Sequence, residues 1–283
     1  MEFIKHDDKA VTTGDVIAAI ESIAPVGLQE AWDNSGLMIG FKDASVKKIL
    51  TCLEINEKVV REAENLDVDM IVTHHPLIFG SIKSLCTCNY KDRLIMDIIR
   101  NGMSVYSCHT PFDKVKGGNN DVIAEKLGLV SVKNLNGEEV SSPVKMMAKM
   151  DEADIGRIGE FSSVMSLKDV IKVVATNLGI SMRQIRVTGN LNTPIFKVGL
   201  CTGAGADLMS MASGQGCQLF ITGDVKYHEA QTAIEEGICI IDAGHYGTEK
   251  FFGEEMKLKL QKKLSKDVEI ISSNIDLEPF EII

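Results

Sequence analysis

The chain has 283 residues, 45% of them hydrophobic, with 30 Lys and Arg against 40 Asp and Glu for a formal net charge of −10. That length accommodates one large α/β domain or two smaller ones and buries a substantial core unaided. The acidic balance repels a phosphate backbone and so excludes general nucleic-acid binding, and no apolar run reaches the ~18 residues of a membrane span.

The first segment, MEFIKHDDKAVTTG, lacks the continuous apolar stretch of an export signal, so a soluble, unexported protein is expected. Apolar residues at helical spacing predict helices over 14–24, 57–65 and 91–100, alternating with β-branched runs at 47–53, 69–73 and 103–107. A turn-rich stretch follows over 134–163, with Gly137, Ser141-Ser142-Pro143 and Gly156. Beyond it the alternation resumes: helices over 167–178, 226–236 and 249–264, strands over 195–201, 218–222 and 238–242. Ser166 followed by Asp169 predicts a capped start for the helix from Leu167, and Gly179 its stop. Such alternation predicts α/β layers. The lysines 257, 259, 262, 263 and 266, beside Glu254 and Glu255, read as the solvated face of the last helix. Seven cysteines without a C-x-x-C pair, the nearest approach being Cys86-Thr-Cys88, fit a reducing cytoplasm.

The second half repeats the first. "KKILTCLEI" resembles "FKVGLCTGA", "DMIVTHH" resembles "QLFITGD", and "NGMSVYSCHTPFD" resembles "EGICIIDAGHYGTE". Thr73 and Thr222 lie 149 positions apart, as do Ile49 and Val198, whereas His109 and His245 lie 136 apart, as do Asp113 and Glu249. Three matched blocks in one order predict two similar, intertwined α/β repeats, over 1–130 and 131–283, with a metal site in the cleft between them.

Functional groups in open α/β sheets collect beyond the carboxyl ends of strands. His74-His75, His109 with Asp113, Thr222-Gly223-Asp224, and His245 with Glu249 all fall at such exits. Imidazoles with carboxylates suit zinc, iron, manganese or cobalt. Adjacent strand side chains diverge, so His74 and His75 can each face a different ion of a close pair, with a carboxylate spanning both. "GLCTGAGADL" over 199–208 reads as a strand, a Gly-rich turn and a helix, either as packing or as a cradle for an anion. "EAWDNSGLMIG" over 30–40 reads as a helix-to-strand connection or as a cleft wall. Cys108, beside His109, lacks the spacing of an activated thiol.

Taken together, "LQEAWDNSGLMIG", "VTHHPLIFG", "SCHTPFD" followed by "GGNND", "TGDVKYHEAQ" and "DAGHYGTE" resemble the Nif-three-like family, the GTP cyclohydrolase 1 type 2 homologs. The resemblance covers nearly the whole chain. It implies a two-domain α/β protein, a toroidal homohexamer, and two divalent ions per chain (zinc, iron or manganese) held by His74, His75, Asp113, His245 and Glu249. Family members often read Asn-Leu where this chain has Pro111-Phe112, with the aspartate retained. Longer members carry a domain inserted between the halves, for which 283 residues leave no room. The activity implied is hydrolysis of a nucleotide-type substrate by activated water. His109, Asp224 and His228 are then candidates for orienting ligands or transferring protons, the alternative for each being an ordinary hydrogen bond at a strand end. The competing function is metal storage, delivery or protein interaction without turnover.

Overall fold

A computed structural model describes residues 10–149 and 151–282; most of the N-terminal segment read above as unlike an export signal, 1–9, lies outside them. Along the chain the strands are β1 (Gly36–Ile39), β2 (Lys48–Cys52), β3 (Met70–Thr73), β4 (Ser104–Ser107), β5 (Val130–Asn134), β6 (Arg157–Ser166), β7 (Arg186–Thr188), β8 (Pro194–Leu200), β9 (Leu219–Thr222), β10 (Cys239–Asp242) and β11 (Glu269–Ser272). They build two sheets, ordered β1-β4-β3-β2-β11 and β5-β6-β8-β9-β10-β7.

Two compact units result. The first comprises the described residues up to Val26, Trp32–His109 and Gly253–Ile275; the second comprises Gly27–Ala31, Thr110–Phe252 and the residues from Asp276. These units are a different division of the chain from the repeats expected at 1–130 and 131–283. Two segments make most of the difference: residues 110–130 belong to the second unit, and β11 leaves the second half to pair parallel with β2, Ile270 opposite Ile49.

The repeat is visible inside each sheet. In the first, β2, β3 and β4 are parallel and β1 adds antiparallel to β4; in the second, β8, β9 and β10 are parallel and β7 adds antiparallel to β10. Leu50 opposes Ile71 as Gly199 opposes Phe220, and Met70 opposes Ser104 as Leu219 opposes Cys239. The first two strands therefore keep the offset of 149, while the third has an offset of 135. His109 follows the end of β4 by two residues but His245 follows β10 by three, the extra one being Gly244 at φ 78°.

All six expected helices are present, with one break. The expected helix over 249–264 is two pieces, His245–Glu249 and Phe252–Gln261. The capping residues are those foreseen: the Ser166 hydroxyl accepts from the Asp169 amide at 3.2 Å, and Gly179 closes the helix Leu167–Leu178 at φ 58°. Thr12 and Asp15 form the equivalent capping box on Thr13–Ile23. In the second unit, period-2 alternation explains why parallel strands look apolar throughout. Leu219, Ile221 and Ile241 pack with Val170, Val174 and Leu178 of the helix Leu167–Leu178, while Phe220 and Ile240 turn to Met209, Ala212 and Ala233 on the other face. Full burial of such side chains contributes about 1.5–3 kcal/mol each.

Candidate metal centre

Within the first unit β3 and β4 end on three histidines. One ring nitrogen from each of His74, His75 and His109 lies within 4.8 Å of the others. His74 is fully buried and its Nδ1 meets the Cys108 carbonyl at 2.9 Å. His75 Nδ1 meets Glu54 Oε2 at 2.8 Å, and His109 Nδ1 meets Asp33 Oδ1 at 2.8 Å. The turn 33–35 is thus a wall of this site: Asp33 also accepts from the Ser35 hydroxyl at 2.9 Å, Ser35 accepts from the His109 amide at 3.1 Å, and Trp32 stands edge-on to the His109 ring at 5.9 Å. Cys108 contributes its carbonyl, not a nucleophilic thiol.

Within the second unit the helix His245–Glu249 starts at His245 itself, earlier than the expected start at 249. One helical turn then separates the two side chains, and His245 Nε2 lies 3.0 Å from Glu249 Oε2. His245 Nδ1 meets Asp224 Oδ2 at 2.8 Å. Asp224 sits at φ 54°, a left-handed conformation costly for most residues but tolerated by aspartate. Asp113, on the short helix Thr110–Lys114, is buried and accepts from Asn119 Nδ2 at 2.8 Å. Its carboxylate lies within 4.8 Å of that of Glu249, itself only 3% exposed.

This helix is held by Arg157, whose guanidinium is completely buried. It donates to Asp121 at 2.5 Å, to the Lys114 carbonyl at 2.6 Å and to the carbonyls of Asp154 and Gly156. Lys114 in turn meets Glu30 at 2.5 Å. The Gly-rich turn serves packing. The amides of Thr202, Gly203 and Gly205 donate to Asn120 Oδ1, Thr248 Oγ1 and Thr222 Oγ1 at 2.9, 3.0 and 3.0 Å, so those three donors are committed to the protein rather than to an anion. Gly203, at φ 65°, lies where any Cβ would run into Glu249 Oε1. His228 is exposed, its ring against Tyr227, and belongs to none of the donor groups among the described residues.

The donor chemistry fits a divalent cation. Each of His74, His75, His109 and His245 has Nδ1 against a carbonyl or carboxylate oxygen, the arrangement in which metal-ligating histidines carry the proton on Nδ1 and the lone pair on Nε2; at His245, whose Nε2 also faces Glu249 Oε2 at 3.0 Å, that lone pair requires a cation between the two. Two buried carboxylates side by side repel unless a positive charge offsets them. Their charge is felt nearby: burial first, and then Asp113 and Glu249, push the Cys201 thiol well above its ordinary range.

The sequence pointed to His74, His75, His109, Asp113, Asp224, His228, His245 and Glu249, and within the two units all of these except His228 fall into an imidazole set and a carboxylate-rich set. It missed Glu54, the structural role of Asp33, and Arg157. A signal existed for Glu54, a carboxylate two residues beyond the end of β2.

An α/β protein with duplicated sheet ladders and strand-end His and Glu groups that could hold a metal ion is the class that fold and site define. A model of the Duf34/NIF3 (NGG1p interacting factor 3) family matches residues 11–279, and the chain belongs to that family. A GTP cyclohydrolase 1 type 2 homolog of Clostridium perfringens is 36% identical over 269 residues, 95% of this chain and 98% of the relative. Among solved structures, a Bacillus cereus protein related to NIF3 superposes with a TM-score of 0.87 at 24% identity over 98% of this chain and 100% of its own. A Staphylococcus aureus hypothetical protein superposes at 0.86 with 26% identity, over 97% and 100%.

Proposed function

We propose that the chain is a divalent-metal-dependent hydrolase of a nucleotide-type substrate, with two ions per chain ligated by His74, His75, Asp113, His245 and Glu249. The observation that carries the reading is the shared Nδ1 pattern of His74, His75, His109 and His245, each held by a protein oxygen at 2.8–2.9 Å. Four imidazoles so fixed are ligands or proton carriers rather than filler. The substrate class rests on the name of the relatives, GTP cyclohydrolase 1 type 2 homolog.

Bound divalent ions supply Lewis acidity, lowering the pKa of a water and offsetting charge that develops at the attacked centre. The chain's part is positioning. Glu54 and Asp224 hold the His75 and His245 rings in one tautomer, and Asn119 fixes one oxygen of Asp113. Glu249 has two carboxylate oxygens and so can serve both ions, whereas each imidazole offers one lone pair. His109, with Asp33 behind it, would hold or move a proton at Nε2, a role supported by the Nδ1 contact that fixes its ring. The homohexamer implied by the resemblance is part of the proposal and is checked by light scattering.

The test is elemental analysis of gently purified protein, followed by incubation of the metal-loaded protein with a panel of nucleotides, Glu249→Gln serving as control. About two ions per chain and product formation lost in the variant are expected. A reproducible stoichiometry near one after reloading would remove the paired centre. Two ions without turnover of any nucleotide would replace the hydrolase by metal storage or delivery.

A further inference from the structure

Five of the seven cysteines are buried: Cys52, Cys108, Cys201, Cys217 and Cys239. Burial pushes the Cys52 thiol up to about 12 and the Cys217 thiol to about 11. Those sulfurs are neither accessible nor ionised near neutral pH. Cys86 and Cys88 differ, because both lie within 79–91, a stretch of thirteen consecutive exposed residues in the first unit.

Their backbone is held in place. The Asn89 amide reaches the Cys86 carbonyl at 3.5 Å, closing a four-residue turn over Cys86-Thr87-Cys88-Asn89. The Cys86 amide donates to the Asp92 carboxylate at 3.2 Å, and Arg93 Nη1 donates to the Thr87 carbonyl at 2.9 Å. Both partners belong to the helix Tyr90–Arg100, which Asn89 caps by accepting from the Lys91 amide at 2.9 Å. Two residues apart on a bent chain, the two Cα atoms are nearer than the ~7 Å of an extended pair, and disulfides span about 4.4–6.8 Å. The turn thus presents two accessible cysteines whose Cα separation falls in the range that a disulfide spans.

We propose that Cys86 and Cys88 form a reversible dithiol–disulfide site that exchanges with low-molecular-weight disulfides of the glutathione class. One cysteine thiolate attacks a sulfur of glutathione disulfide, forming a mixed disulfide and expelling a glutathione thiolate. The second cysteine thiolate then attacks the protein sulfur of that mixed disulfide and expels the second glutathione thiolate. Overall the two cysteines lose two electrons and two protons, and one glutathione disulfide becomes two thiols. The second step is intramolecular, with an effective thiol concentration on the order of millimolar or more, so the adduct closes faster than micromolar protein could cross-link. The proposal is independent of the metal centre.

The test treats the native full chain with oxidised glutathione, traps remaining thiols with an alkylating agent, and weighs the peptide containing residues 86–88. In the wild type this peptide should escape alkylation and have lost two hydrogens, at a rate independent of protein concentration, with dithiothreitol restoring it. Cys86→Ser and Cys88→Ser should each retain a glutathione adduct, and Cys217→Ser should behave as wild type. Equal adduct retention in wild type and single variants, a link between two chains, or failure of both thiols to react would each overturn the proposal.

Discussion

The two units carry one ladder and end it differently. At positions 149 apart, Glu54 in the first unit corresponds to Gly203 in the second, and His75 to Asp224. In the first unit this pair is a carboxylate orienting an imidazole, 2.8 Å apart. In the second, the carboxylate has moved to the later position, where Asp224 orients His245, and the earlier position is a glycine that leaves space for Glu249. The extra residue Gly244 and the left-handed backbone at Asp224 accompany the change. A sheet fixes where the strand exits are, and substitution at the exits decides what they offer: mainly imidazoles in one unit, mainly carboxylates in the other. The far edges differ too, since β2 is flanked by parallel β11 while β8 is flanked by antiparallel β6, which carries Arg157.

That last difference makes the largest expected effect. Arg157→Met leaves Asp121 and several carbonyls without their buried donor, and should destabilise the protein by about 3–5 kcal/mol in chemical denaturation. No exposed arginine substitution in the first unit, Arg61→Met for example, should approach that. If Arg157→Met unfolded like wild type, the view that the β6 edge anchors the Asp113 helix would fail.

Next come the proposed ligands. Glu249→Gln should empty both metal positions, weakening binding beyond the roughly 10–100-fold that loss of an orienting partner costs, while His75→Ala should mainly empty one. Elemental analysis with site-resolved occupancy compares them. Full retention of one ion in Glu249→Gln would transfer the spanning role to Asp113.

Smaller, and matched between the units, are the orienting carboxylates. Glu54→Gln and Asp224→Asn should each lower metal affinity by roughly 10–100-fold, with the fold retained by thermal melting. Competition with a chelator would measure it. Unequal losses would mean that the two exits, though related by the repeat, no longer do equivalent work.

Smallest near neutrality is the alkaline limb of stability. Cys52 rises in the folded state to about 12, burial being the main cause, and Cys217 to about 11. A raised pKa keeps its full stabilising contribution below the unfolded thiol value, ordinarily near 9, and loses it as pH climbs toward the folded value. The thiol contribution should therefore be constant through neutral pH and make stability fall between about 9 and 12, less steeply in Cys52→Ala after correction for its lost packing. Urea titrations across that range check the sign, and a rise with pH would contradict it.

The repeat, six helices and the six central strands were legible in the sequence because periods of 3.6 and 2 are written locally, as were the caps at Ser166 and Gly179. Strand β1 was read only as the end of a helix-to-strand connection, and β5, β6, β7 and β11 were not read at all. β7 is three residues long, β6 runs through exposed Ser162-Ser163-Val164 without alternation, and β11 exists as a strand because β2 offers it an edge. Histidine and acidic residues at strand exits could be named in advance, since exits follow from strands. Their partners could not: His109 finds Asp33 across 76 positions, and His75 and His245 find Glu54 and Asp224 across 21. Those separations are closed by sheet pairing and turns rather than by neighbouring residues. Sequence by itself determined which donor types stand at the ends of the strands. Tertiary structure decided which nitrogen each ring presents, because that depends on the oxygen placed behind it.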